Sequence, residues 1–164
     1  MLVAVQILSI LLAALSMTAA LGHALEMPGK LRLAQEHYLA VQPIYYPGFT
    51  IGGGLGEIGT ILVSAALALM LAPGSAASNL AWAACASALI VQALYWLIVH
   101  PVNRFWLKDS KVDAASKGFF AIGAGNPAGA DWEALRDRWE RGHAIRAVFA
   151  TLALVLLAAS LAAA

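Results

Sequence analysis

Three stretches of the chain carry no Asp, Glu, Lys or Arg: Met1–Leu25, Ile58–Asn103 and Ala147–Ala164. Apolar residues run through them with scattered Ser, Thr, Gly, Gln, Asn, His and Pro between. A helix crossing the hydrocarbon layer needs roughly 20 mainly apolar residues, so the first and last stretches each predict one crossing. The middle stretch is about twice that length. Ala72-Pro73-Gly74-Ser75-Ala76-Ala77-Ser78-Asn79 interrupts it with turn formers and a Ser or Asn helix cap, which predicts a helical hairpin. The expected fold is therefore all-α: a four-helix transmembrane bundle in a single integral membrane domain, residues 1–164. Its spans fall at about 2–25, 55–72, 79–101 and 142–162, with two long connections on one side and a short turn on the other.

Composition agrees with the pattern. Hydrophobic residues make up 62% and charged residues 12%, against about 45–50% and about 25% in soluble domains. Disorder, a basic nucleic-acid-binding domain and a disulfide-rich secreted module are each excluded by that balance, and no nucleic-acid partner is expected. The expected partners are the lipid bilayer and a hydrophobic small molecule, with a homo-oligomer left open. The one cysteine, Cys85, reads as a small packing residue inside span three. The first span has the length of a signal peptide but no Lys or Arg ahead of its apolar run, so it is read as retained. All ten basic residues fall in or beside the 22–55 and 101–142 connections. The positive-inside rule then puts both connections in the cytoplasm and both termini outside, in an inner (cytoplasmic) membrane.

Within the first connection, Pro28 is expected to mark a helix boundary, and Leu31–Val41 suits a short interfacial helix. The proline- and aromatic-rich run Gln42–Phe49 suits a loop at headgroup level. Gly52-Gly53-Gly54 is expected to give a sharp bend into span two, with Glu57 as a capping charge in its first turn. In the second connection, Gly118–Gly129 with Asn126-Pro127 reads as a loop. Trp132, Leu135 and Trp139 then recur at helical spacing, so a helix is expected to run from about Asp131 unbroken into span four.

Ionisable residues at membrane depth are costly and carry a functional hypothesis by default. Here His23 and Glu26 close span one, Glu57 opens span two, His100 and Asn103 close span three, and Glu140, His143 and Arg146 open span four. All lie on the same side. His23/Glu26 and Glu140/His143 are i,i+3 pairs, while Gln92, Trp96 and His100 follow one i,i+4 line, so each set shares a helix face. His23, Glu26, Glu57, His100, Glu140 and His143 form a candidate metal set, mononuclear or dinuclear. Glu140-x-x-His143 fits the helical-bundle carboxylate pattern, and iron is the favoured metal for oxygen chemistry. A haem b held by two of His23, His100 and His143 is the alternative; a site with no cofactor is a third. In the blander reading the carboxylates merely pair with neighbouring bases, Glu140 with Arg136 or Arg141 and Glu26 with Lys30. The tryptophans, with Tyr45 and Tyr46, either stack a ligand or anchor the interface, the latter favoured for Trp106 and Trp132.

Glu26-Met27-Pro28-Gly29-Lys30-Leu31, Pro101-Val102-Asn103 and Trp139-x-x-x-His143-x-x-Arg146, in that order along the spans, resemble landmarks of the anthrone oxygenase-like family of small four-span membrane proteins. Fungal members are associated with oxidising anthrones to anthraquinones without a recognised cofactor. The resemblance implies that Asn103, His143 and Arg146 belong to a working site, with Glu26 and Lys30 beside them. His23, His100, Glu140 and the Gly52–Gly54 run depart from the family pattern.

Together these readings lead to a membrane-embedded oxidoreductase, an oxygenase of a hydrophobic aromatic or quinone-like substrate. His143, Arg146, Asn103 and His100 are its candidate catalytic residues, with Trp96, Trp139 and Lys30 around the substrate. In that chemistry an imidazole removes an acidic proton and Arg146 steadies the oxyanion. A non-catalytic b-type haem protein and a structural or accessory membrane subunit are the rival classes.

Overall fold

The computed structural model describes residues 1–107, 118, 122 and 131–164. The expected loop at Gly118–Gly129 lies largely outside the described residues. The architecture is helical: α1 (Leu2–Lys30), α2 (Gln35–Val41), a 3₁₀ turn (Gln42–Tyr45), α3 (Gly48–Met70), α4 (Ala76–Leu94), a π-helical turn (Tyr95–Val99), α5 (His100–Leu107) and α6 (Trp132–Ala162). Four segments are long and apolar enough to cross a membrane: α1, α3, the continuous run Ala76–Trp106, and α6. The chain is a multi-pass membrane protein. Neighbours in the bundle are α1 with α3, α3 with α4, α4 with α6 and α6 with α1, so α3 and α6 stand on a diagonal.

Each span turns its small or polar residues inward. In α1 the buried line is Ser9, Ala13, Ser16, Ala20 and His23, while Val3, Ile7, Leu8, Leu11 and Leu15 face out. In α6 the buried line is Trp139, His143, Arg146, Ala150, Ala153, Leu157 and Ser160. Alternating steps of three and four keep such a line on one face. Lipid tails are as apolar as leucine, so leucines gain little by leaving them, and close contact of small residues holds the helices instead.

The hairpin between α3 and α4 forms as the sequence predicts. The Ser75 N–H donates to the Ala72 carbonyl across a turn with Gly74 at φ +76°, the left-handed conformation that glycine adopts freely. The Ser75 side chain caps α4 by accepting from the Ser78 N–H. Cys85 is buried with its thiol on the Ile61 carbonyl.

Two expectations about helix starts and stops are corrected. Pro28 lies inside α1, which runs on to Lys30; one proline near a helix end removes one donor without forcing a stop. The Gly52–Gly54 run does not bend the chain, because α3 begins at Gly48 and passes straight through it. This stretch of α3 instead packs close to α1. A Cβ at Gly53 would lie 3.5 Å from the Ala19 Cβ, and one at Gly56 would fall 2.6 Å from the Ser16 backbone nitrogen. Glu57 is consequently a mid-helix residue, buried, and not a cap.

Span three also runs further than expected and changes pitch. Pro101 has no N–H for the carbonyl four residues back, that of Leu97. The Arg138 guanidinium of α6 supplies the missing donor, at 2.8 Å. The π turn lies across this point, where α6 packs tightly against it: a Cβ at Gly142 would be 2.9 Å from methyls of Ile98 and Val99. Single π turns of this kind recur at functional sites.

Candidate functional site

The polar ends of the spans enclose a cavity of about 580 Å³. His23, Ala19 and Ala20 of α1 form one wall, and Gly53, Glu57 and their neighbours of α3 another. Gln92, Tyr95, Trp96 and Asn103 come from the third span, and Trp139, His143 and Arg146 from α6. The run expected to be a headgroup loop closes the end of the chamber with Tyr45, Tyr46, Pro47 and Phe49. On α3 the lining continues out to Ile51, Leu55 and Ile58, which are exposed on the outer face, and across from them stands the partly exposed Trp96. The cavity thus reaches the lipid-facing surface between α3 and the π turn.

At its inner wall four ionisable groups are almost completely buried: His23, Glu57, His143 and Arg146. Arg146 joins them. Its Nη2 donates to Glu57 Oε1 across the bundle diagonal, and its Nη1 lies 3.0 Å from His143 Nδ1. Gln92 Nε2 donates to the second carboxylate oxygen of Glu57 at 3.0 Å, and Trp96 Nε1 donates to Gln92 Oε1 at 3.1 Å. The guanidinium also lies 5.1 Å from the centre of the Tyr95 ring. The His23 and His143 rings are in contact, centroids 4.0 Å apart, and Trp139 packs on both, at 4.9 Å and 4.2 Å. Trp139 is fixed in turn by its Nε1, which donates to Asn103 Oδ1 at 2.7 Å.

A second buried charge pair lies at the end of the bundle. Lys30 Nζ is 3.0 Å from Glu140 Oε1, which also accepts from the Tyr38 hydroxyl at 2.7 Å. The ammonium sits 4.1 Å from the Trp139 ring centre, and about equally between the Tyr38 and Tyr45 rings, 5.0 Å from each. Lys30 therefore touches the cavity's tryptophan without lining the cavity. Glu26 accepts from the Tyr45 hydroxyl at 2.5 Å. Burial, with help from Glu140 at Tyr38 and Glu26 at Tyr45, pushes both phenols above their ordinary range, so they remain neutral donors to these carboxylates at neutral pH.

The sequence-predicted residues thus divide. His23, Glu57, Trp96, Asn103, Trp139, His143 and Arg146 come together around the cavity. Glu26, Lys30 and Glu140 form the neighbouring network. His100 stands behind Trp96, its Nδ1 3.3 Å from the Tyr95 hydroxyl and its Nε2 2.8 Å from the Ile122 carbonyl. The candidate metal set does not converge: among the described residues no three His, Cys, Asp or Glu side chains are placed to hold one ion. Glu57 and Glu140 are committed to Arg146 and Lys30, and a ligand carboxylate would have to give up its cation.

Sequence reasoning missed Tyr38, Phe49 and Tyr95 as parts of the site. Their only signal was the density of aromatics in Tyr38–Phe49 and beside Trp96.

A family model described as anthrone oxygenase matches residues 49–156, which take in α3, α4, α5 and most of α6. No curated protein matches the chain, and no solved structure does.

Proposed function

The chain belongs to the anthrone oxygenase family, and on that footing we propose that it oxygenates a hydrophobic aromatic, phenolic or quinone-like compound drawn from the bilayer. The observation that carries this reading is the cavity itself. It is walled by aromatic rings, open toward lipid, and lined at its inner end by His23, His143 and Arg146. A volume of about 580 Å³ falls within the roughly 300–1,000 Å³ range of small-molecule sites and accommodates a fused tricyclic ring.

The chemistry follows from those groups. An imidazole takes a proton from a CH₂ activated by a conjugated carbonyl, and the electron pair of the broken bond passes to the carbonyl oxygen. N–H donors in the water-poor chamber stabilise that oxyanion as it forms. The anion gives one electron to dioxygen, and the two radicals combine at the same carbon. Return of the proton yields a hydroperoxide. Loss of the remaining C–H proton, with departure of hydroxide, leaves a carbonyl and water. The CH₂ and O₂ have become C=O and H₂O: the carbon gives up four electrons and dioxygen accepts them, so no other oxidant enters the balance. The positive-inside rule supports placing the polar end of the bundle in the cytoplasm of an inner membrane.

The test is the purified chain in lipid nanodiscs with anthrone and air-saturated buffer, followed by oxygen electrode and chromatography. Anthraquinone should form in step with oxygen uptake, and His143→Ala should slow both about 100-fold, as loss of an oxyanion donor does. Anthraquinone appearing no faster than with empty nanodiscs overturns the reading.

A further inference from the structure

The two imidazoles of the cavity are held in different ways. Nδ1 of His143 lies 3.0 Å from Arg146 Nη1. A guanidinium has donors and no acceptor, and it stays charged, so this Nδ1 must offer a lone pair. A neutral ring then carries its proton on Nε2, and the hydrogen bond fixes that tautomer. Arg146 is itself anchored to Glu57 through Nη2, which keeps the guanidinium in place against His143.

His23 has no such tether. Its Nδ1 is buried without a hydrogen-bond partner. Its ring is gripped by aromatic surfaces instead: Tyr45 and Trp139 edge-on at 4.6 Å and 4.9 Å, and Phe49 at 4.8 Å. Glu26, one helical turn on, is occupied by the Tyr45 hydroxyl. With no polar partner on Nδ1 to hold one tautomer, His23 can take up and release a proton without breaking a hydrogen bond there. The two rings touch, so a substrate atom against one is within reach of the other.

Resting on the oxygenase reading, we propose that His23 is the general base and His143 the hydrogen-bond donor to the oxyanion, with Arg146 as the positioning residue that fixes the His143 tautomer. His23 takes the substrate proton and becomes imidazolium. The electron pair of the broken C–H bond moves onto the substrate carbonyl oxygen, which accepts from the His143 Nε2–H. The imidazolium later returns its proton to the peroxide formed with dioxygen. His23 lies on α1, outside the family-matched residues 49–156, so the match cannot assign this role.

Two measurements on the full chain in nanodiscs test the division. The first is ¹⁵N NMR of histidine-labelled protein, with His23 and His143 identified through their Gln variants. His143 should be protonated at Nε2 and bare at Nδ1, and Arg146→Met should release that preference. A proton on Nδ1 of His143 overturns the proposal whether or not any substrate turns over.

The second measurement isolates the base: deuterium uptake at the anthrone methylene in heavy water under argon, where the oxygen step cannot occur. His23→Gln should lower the exchange rate at least about 100-fold. His143→Gln, which keeps an N–H donor, should lower it only about tenfold, and His143→Ala about 100-fold. The reverse order of the two Gln variants puts the base at His143 and overturns the proposal. If His23→Gln does not fold, His23→Ala with added imidazole takes its place: restored exchange supports the base role, and a folded protein that imidazole does not rescue contradicts it. Wild-type protein that exchanges no deuterium overturns the oxygenase reading and the base role together, while the NMR result still decides the His143 tautomer.

Discussion

The two ends of the bundle solve the same packing problem with opposite materials. Toward the hairpin turn the core is Ala13, Leu67, Ala68, Ala81, Ala84 and Leu157. Among the described residues, its polar ties between helices are Ser and Cys side chains on backbone carbonyls, such as Ser78 on Ala68 in the last turn of α3 and Ser160 on Ala77 in the first turn of α4. Toward the other end the core is aromatic, and two ion pairs, Glu57 with Arg146 and Glu140 with Lys30, are sealed inside it. Among the described residues, the dry end has no buried charge that depends on one particular partner. At the polar end each buried charge does, since its desolvation cost is offset only by that partner. Stability is therefore spread thinly over one half and concentrated in a few contacts in the other, and the concentrated half is the one that encloses the cavity.

Cutting one of those contacts is the most direct way to break the comparison. Arg146→Met leaves Glu57 buried across the bundle diagonal without its cation and should cost about 3–5 kcal/mol, read as a lowered midpoint of thermal unfolding in detergent. Adding Glu57→Gln should recover most of that loss, because an uncharged amide needs no counter-charge. Turnover should stay lost in both proteins, since His143 no longer has Arg146 to fix its tautomer. Equal instability of the single and double variants would show that Arg146 acts through packing and not through charge.

Gly56→Ala probes the boundary between the halves. The new Cβ would meet backbone, the Ser16 nitrogen at 2.6 Å, so α1 and α3 must separate along their length. A cost of about 1–3 kcal/mol is expected, as for other overpacked contacts. Gly142→Ala meets only methyl groups of Ile98 and Val99 and should cost less. If Gly142→Ala proves the worse of the two, the tightest contact of the bundle lies at the π turn and not between α1 and α3.

The fold was legible because spans and turns are local. Charge-free runs mark the crossings, Pro73-Gly74-Ser75 marks the hairpin, and the spacing of Trp132, Leu135 and Trp139 carries α6 unbroken into the membrane. The site was legible only up to helix faces. Periodicity placed Glu140 and His143 on one face of α6, and it showed Glu57 as a lone carboxylate near the start of its span. It could not show that α3 and α6 stand on a diagonal, which is what joins Glu57 to Arg146. Glycines in sequence look like a hinge; only the neighbouring helix makes Gly53 and Gly56 a contact face. The aromatic run Tyr45–Phe49 likewise reads as an interface anchor until its position over His23 turns it into a cavity wall.

The smallest effect should come from the dry end, and it gives the comparison its reference point. Ser160 Oγ donates to the Ala77 carbonyl at 2.7 Å and is fully enclosed, which makes it as buried as Arg146. Yet the Ala77 carbonyl belongs to the first turn of α4 and can still accept from the amide one turn on. Ser160→Ala removes the hydroxyl together with its only need for a partner, so no polar group is left stranded. Interhelical hydrogen bonds of this kind average about 0.6 kcal/mol in bilayers, and a shift of that size in the unfolding midpoint, with unchanged anthrone turnover, is the expected result. A loss approaching that of Arg146→Met would mean that the hairpin end is as unforgiving as the cavity end. The concentration of stability around the buried charges would then be no property of this bundle.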